Sequence, residues 1–186
     1  MRSKPILATA ASALATLVLI AVFRAPATGA SGLVAPNDKC QNESGFRNAA
    51  KARRSMVCLT NYARHKKGLK RFTVNRTLTR SARHKAADIL VYDDFSHSAC
   101  GRDFTFWMER FGYSNGGGWT AGENLAWGNG SYGTSHSIFS AWLNSPGHRR
   151  AILSRDFEDI GIGIVHGQLS GTSGARIWVQ NFGRRG

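Results

Sequence analysis

Three polar residues stand in surroundings rigid enough to hold them for chemistry: His97 in FSHSACG, Glu123 in AGENLAWG and His148 in SPGHRRAIL. Two imidazoles and a carboxylate form a sensible shell for a divalent metal such as zinc, with a coordination position left open for water or a ligand. Without a metal, the same groups can serve as a base and the residue that orients it. His148 follows a Ser-Pro-Gly turn and precedes the apolar run Ala151 to Leu153. Proline and glycine end one element there, which places His148 in or beside the first turn of a helix, where the helix dipole disfavours the imidazolium. The spacings of 26 and 25 residues do not by themselves bring the three groups together.

The elements that must position them follow from hydropathy. From residue 45 to Lys67 the chain reads as a helix, with Ala52, Met56, Leu59 and Ala63 on one face and Gly68 placed to end it. A second helix is expected from the N-cap Asn75 to Tyr92, with Leu78, Ala82, Ala86 and Ile89 as its apolar stripe. A short third helix is expected after Asp103, with Phe104, Trp107, Met108 and Phe111 as core residues and Gly112 as its stop. Residues 113–133 read as a glycine-rich loop around a short strand. Thr134 or Ser135 then caps a helix carrying Ile138, Phe139 and Trp142. In DIGIGIV and ARIWVQNFG the period falls from helical to two, which predicts an antiparallel hairpin joined through GQLSGTSG. Gly161 and Gly163 leave room for a helix to lie close on that sheet. Helices first and hairpin last give an α+β domain.

Charge and cysteines bound the setting. The chain has 186 residues and a net charge of +14. Residues 1–30 begin with Arg2 and Lys4, continue as an apolar run ended by Arg24, and close in small residues. That is the order of a secretory signal peptide, and an uncleaved membrane anchor fits the same run. No acidic residue occurs from Ser44 to Ala87, a stretch dense in Lys and Arg. Such a field draws anionic envelope polymers or membrane surfaces, or simply keeps an exported chain solvated. Nucleic acid is not expected as a partner, because export removes the usual target. Export also permits disulfides. Cys40, Cys58 and Cys100 allow three single bridges; Cys40 with Cys58 would staple the N-terminal arm, residues 31–44, to the first helix and contribute about 3 kcal/mol. That arm, polar and broken by Gly32 and Pro36, reads as exposed.

FSH, GEN and SPGHR in this order resemble the bacterial secreted branch of the CAP superfamily, the SCP or PR-1-like domain. The resemblance extends through CLTNYARHKKGLKRFTVNRTL, FGY, AWLNSPGHRRAIL, FEDIGIGIV and WVQNFG, about residues 50–183. It implies a domain over 45–183 with a tail at 184–186, folded as a three-layer α-β-α sandwich with a small antiparallel sheet. It also implies a cleft shared by His97, Glu123 and His148, which are then the candidate catalytic, ligand-binding and metal-binding residues. The family's fourth position, a glutamate shortly after the tryptophan of the preceding helix, is missing: Leu143, Asn144 and Ser145 follow Trp142. Relatives often carry a second cysteine just before FSH, where this chain has Tyr92, Asp93 and Asp94, so Cys100 is expected to be free. The incomplete set points to binding of a small ligand, a lipid or a divalent metal such as zinc rather than to catalysis. The alternatives are a metal-assisted extracellular hydrolase and an envelope-associated protein held by its basic face.

Overall fold

In a computed structural model that describes residues 32–46 and 48–186, five helices cover the two faces of one four-stranded sheet. The segment read as a signal peptide lies outside the described residues. Helix α1 spans Ala49–Lys66, β1 Thr73–Val74, α2 Arg76–Val91 and α3 Phe106–Arg110. There follow β2 Trp119–Gly128, α4 Ser135–Asn144, α5 Pro146–Leu153, β3 Asp159–Leu169 and β4 Thr172–Arg185. The strand order is β1-β3-β4-β2. β3 and β4 pair antiparallel, as do β4 and β2, whereas β1 joins β3 in parallel, so the sheet is mixed rather than wholly antiparallel. Among the described residues no helix is long and apolar enough to cross a membrane.

The two faces of the hairpin sort as its period requires. Ile160, Ile162, Ile164, Trp178 and Phe182 pack with α1, α4 and α5 in one core. Ile177 and Val179 pack with Ala82, Ala86 and Ile89 of α2 in the other. α2 lies so close to β3 that a Cβ on Gly161 would overlap the backbone of Leu78 and Thr79, and one on Gly163 that of Ala82. Glycine is required there for space, because neither residue has a positive φ.

The helix boundaries follow local chemistry. Asn75 caps α2, its side chain accepting from the N–H groups of Thr77 and Leu78. Asn48 caps α1, so that helix starts later than residue 45, after Gly45 turns the chain at φ 75°. Thr134 caps α4 through Ser137 N–H.

Three expectations are refined. The arm is exposed at residues 36–39, 41 and 42, as its polar sequence implies, but it is anchored: Leu33, Ala35 and Cys40 are buried in the larger core. Ser55, Ser135 and Asn42 fasten it with polar contacts, Ser135 Oγ accepting from Glu43 N–H at 3.0 Å. Its few apolar residues were too widely spaced to show a period. The hairpin strands run on through the segment read as a turn, leaving only Ser170 and Gly171, both at positive φ (47° and 76°), as the two-residue connection. The aromatic face of the third helix is only partly covered. Met108 is buried, while Trp107 and Phe111 stack on each other at 5.3 Å, with His84 4.6 Å from Trp107 and Arg80 over Phe111 at 3.9 Å. A helix of five residues is too short to bury four large side chains under α2.

Cys40 and Cys58 form the expected bridge, and Cys100 is unpaired. Arg64, which the charge run would place in solvent, is buried. Its guanidinium donates to the carbonyls of Lys70, Ile152 and Ser154, tying α1 to the end of α5. Burial, and then the charge of Arg155, push its pKa down to about 10.

Two stability measurements check this packing. Gly163→Ala lowers the unfolding free energy in urea by about 3 kcal/mol or more, because backbone must move. Gly147→Ala in α5, where a Cβ meets nothing within 4 Å, raises it by about 0.5 kcal/mol through the unfolded chain. Equal effects at the two sites contradict the close approach of α2. Reducing the Cys40–Cys58 bridge costs about 3 kcal/mol in the same assay; an unchanged midpoint contradicts its role as a staple.

Candidate functional site

β2 is an edge strand, and its register on β4 decides where each candidate residue points. Glu123 lies opposite Asn181, and Asn124 opposite Gln180. Successive residues of a strand face opposite sides, so this edge sends a carboxylate toward the α2 layer and an amide toward the α1 layer.

On the α2 side, the loop after α2 carries His97 to the sheet. His97 Nδ1 is 2.9 Å from Glu123 Oε1. The imidazole is open, its side chain 57 % exposed, while the Glu123 side chain is only 1 % exposed. Asn181 lies between Glu123 and α2. In the amide orientation that satisfies every partner, its Nδ2 donates to Glu123 Oε2 at 3.2 Å and its oxygen accepts from Ala82 N and Ser81 Oγ. Both carboxylate oxygens are therefore engaged. Lys85, buried on the inner side of α2, donates from Nζ to His97 O at 2.5 Å, fixing the loop that bears the imidazole.

On the α1 side, Asn124 is buried and its Nδ2 donates to His148 O at 3.2 Å and to Gln180 Oε1 at 3.1 Å. Gln180 Nε2 in turn donates to Thr60 Oγ1 at 2.8 Å, which donates to Met56 O. The chain of amides fastens the start of α5 to the sheet and to α1. Pro146 opens α5, and Ser145 stands at its N-cap without a side-chain hydrogen bond. Trp142 is buried one turn earlier and donates from Nε1 to Leu125 O at 3.0 Å.

The electrostatics follow from this placement. Burial pushes the Glu123 pKa above its ordinary value, against the lowering effects of the His97 hydrogen bond, the Lys85 charge and the His97 charge. Burial, and then the charge of His97, push the His148 pKa below 6.5. The two imidazoles are thus near enough for one to act on the other, although they approach the strand from opposite layers. A neutral His97 that donates from Nδ1 to Glu123 leaves the Nε2 lone pair free at the surface. This is the geometry of an oriented base or of a metal-binding imidazole backed by a carboxylate.

The structure therefore pairs His97 with Glu123 directly and brings His148 to the same strand through its backbone carbonyl, which accepts from Asn124, the residue next to Glu123. Among the described residues no three His, Cys, Asp or Glu gather closely enough to hold a metal ion. Glu123 stands behind His97 rather than beside it as a third ligand. Sequence reasoning passed over Lys85 and Asn181. Lys85 falls on the apolar stripe of α2, seven residues after Leu78, and Asn181 shares the face of Ile177 and Val179; a polar residue in an apolar register was the available signal. The other histidines stay outside the site. His136 contacts Cys40 O at 2.6 Å in the arm, and His166 packs edge-on against Phe46.

The neutral state of His148 is favoured by folding, so the stability it contributes is present above pH 6.5 and lost as pH falls through the lower, folded value. Followed by NMR, the His148 ring titrates below 6.5; in His97→Ala its midpoint rises but stays under 6.5, because burial remains. An unchanged midpoint in that variant contradicts the coupling of the two imidazoles.

The family model described as the cysteine-rich secretory protein family, CAP, matches residues 57–182. The uncharacterized protein YkwD of Bacillus subtilis is 40 % identical over 131 residues, which are 69 % of this chain and 46 % of that protein. The uncharacterized membrane protein YlbC of the same organism is 26 % identical over 132 residues, 71 % of this chain and 34 % of that protein. The chain thus spans less than half the length of these curated relatives. Among solved structures, an outer surface protein of Borrelia burgdorferi shares the fold at a TM-score of 0.60 and 24 % identity, over 72 % of this chain and 92 % of that one. An extracellular protein containing an SCP domain from Bacillus anthracis does so at 0.61 and 23 %, over 82 % of this chain and 44 % of that one. With its α+β architecture and the matched span, the chain belongs to the CAP superfamily of cysteine-rich secretory protein domains.

Proposed function

We propose that this protein is an exported CAP-domain binding module, in which His97 and His148 at the β2 edge take a divalent ion or a small polar ligand without a catalytic step. The observation that carries the reading is the 2.9 Å contact between an exposed imidazole and a buried carboxylate. A carboxylate behind a histidine fixes its ring and tautomer and raises its basicity toward whatever meets Nε2. Glu123 is then a positioning residue, and His97 and His148 are the groups that touch the ligand. With only two imidazoles on offer, a bound zinc ion keeps positions open for the ligand itself. When bound, such an ion supplies a Lewis-acidic centre.

Binding is preferred to hydrolysis on two grounds. The second carboxylate position is filled by Leu143, Asn144 and Ser145. Among the described residues the hydrogen bonds of His97 run to Glu123 and Lys85, so it holds no serine or cysteine as a nucleophile. Export is supported by the order of residues 1–30, by the Cys40–Cys58 bridge and by fold neighbours described as extracellular or outer surface proteins.

Zinc titration by calorimetry tests the reading. The protein binds one ion, His97→Ala and His148→Ala abolish the heat, and Glu123→Gln weakens affinity about 10- to 100-fold while leaving the stoichiometry intact. Unchanged binding in both histidine variants, or none in the parent protein, contradicts a metal at this edge.

A further inference from the structure

The opposite edge of the sheet carries a second feature, unrelated to the histidines. β1 is two residues long and covers β3 only at Asp159 and Ile160. Beyond that point the outer edge of β3 opens onto a groove between α1 and α2. Two hollows of about 450 Å³ and 650 Å³ adjoin there, sharing Val74 and Thr79 in their linings. Their floor is apolar, made by Val57, Val74 and Ile162 in one and by Val74, Ala87 and Val165 in the other.

The rims are cationic on both sides. Arg53 and Arg54 stand on the α1 wall, and Arg76, Arg80 and Arg83 on the α2 wall. The ion pairs among the described residues join Lys39 to Asp38, His97 to Glu123, Arg102 to Asp88 and Arg184 to Glu158, so none of the five arginines has a carboxylate partner. The two walls act on each other: after burial, the charge of Arg83 is the next influence lowering the Arg53 pKa, followed by that of Arg54. Facing like charges destabilise the fold unless an anion lies between them. Arg76, Arg80 and Arg83 recur at i, i+4 and i+7, spreading their guanidinium groups along about 10 Å of helix.

We propose that this groove binds an extended phosphate-bearing polymer, whose phosphates meet the arginine rims while its carbon spacers lie on the apolar floor. Guanidinium groups bind phosphate through paired hydrogen bonds. A linear chain fits between two facing walls, whereas a flat bilayer reaches only the outer tips of the rims. The alternation of apolar floor and charged rim suits charges separated by carbon, as in a poly(glycerol phosphate) chain. The site lies at the β1–β3 edge and the His97–Glu123 pair at the β2 edge, so either can fail without the other.

The test is binding of soluble poly(glycerol phosphate) to the protein at low salt, by fluorescence anisotropy. Arg53→Gln with Arg54→Gln, and separately Arg76→Gln with Arg83→Gln, each weaken binding about tenfold. Arg80 is left in place because it packs on Phe111. Both variants keep or raise the melting temperature, since repulsion is relieved, which shows that they fold. Lys66→Gln with Lys67→Gln removes the same charge about 20 Å further along α1, and changes affinity less than about twofold. Three results overturn the proposal: no binding at low salt, an equal loss in the Lys66 and Lys67 variant, or phosphatidylglycerol vesicles binding in preference to the free polymer.

Discussion

The register of β2 on β4 is the constraint on which the site depends. Because Glu123 pairs with Asn181 and Asn124 with Gln180, one edge strand serves two layers at once. Glu123, Asn181 and Ser81 make a polar line under α2, while Asn124, Gln180 and Thr60 make another under α1. A slip of one residue exchanges the two faces. The carboxylate would then meet α5, and His97 would lose its partner. Burial makes the slip expensive, since each of these polar groups is satisfied only in the observed register.

That register reaches the imidazoles through two further contacts. On one side α2 must approach closely enough for Ser81 to touch Asn181 and for Lys85 to hold the carbonyl of His97, and Gly161 and Gly163 make the approach possible. On the other side Asn124 fixes the first turn of α5 through His148 O. The Ser-Pro-Gly turn therefore sets where α5 begins, and the strand sets where it docks. Two buried charged groups, Lys85 and Glu123, stand near each other in the α2 layer, and the lysine charge favours the ionised carboxylate that burial opposes.

Much of this was legible in the sequence. The stripe from Leu78 to Ile89 and the cap at Asn75 predicted α2, the alternation of DIGIGIV and its glycines predicted a hairpin that a helix could approach closely, and Cys40–Cys58 was the favoured of three possible bridges. The resemblance carried by FSH, GEN and SPGHR pointed to three candidate residues, of which the structure pairs His97 with Glu123. What escaped were features created by tertiary contact. A ten-residue strand was hidden in the segment Trp119–Gly128 because its glycines and asparagine disfavour β structure locally, and only pairing along β4 sustains it. The arm has too few apolar residues for a period, yet a disulfide and a serine network hold it in the core. Lys85 and Arg64 looked like members of a solvated charge run; their burial depends on backbone carbonyls outside their own helices. That Glu123 and Asn124 face opposite layers was assignable to particular helices only once the partner strand was known.

The central claim is that Glu123 works from behind His97, leaving the two imidazoles to meet the ligand. An anomalous difference map from crystals grown with zinc tests it most directly. The account predicts one ion about 2.0–2.1 Å from a ring nitrogen of His97 and of His148, with both oxygens of Glu123 still on His97 and Asn181. An ion bound directly to a Glu123 oxygen, or a peak away from both histidines, contradicts it.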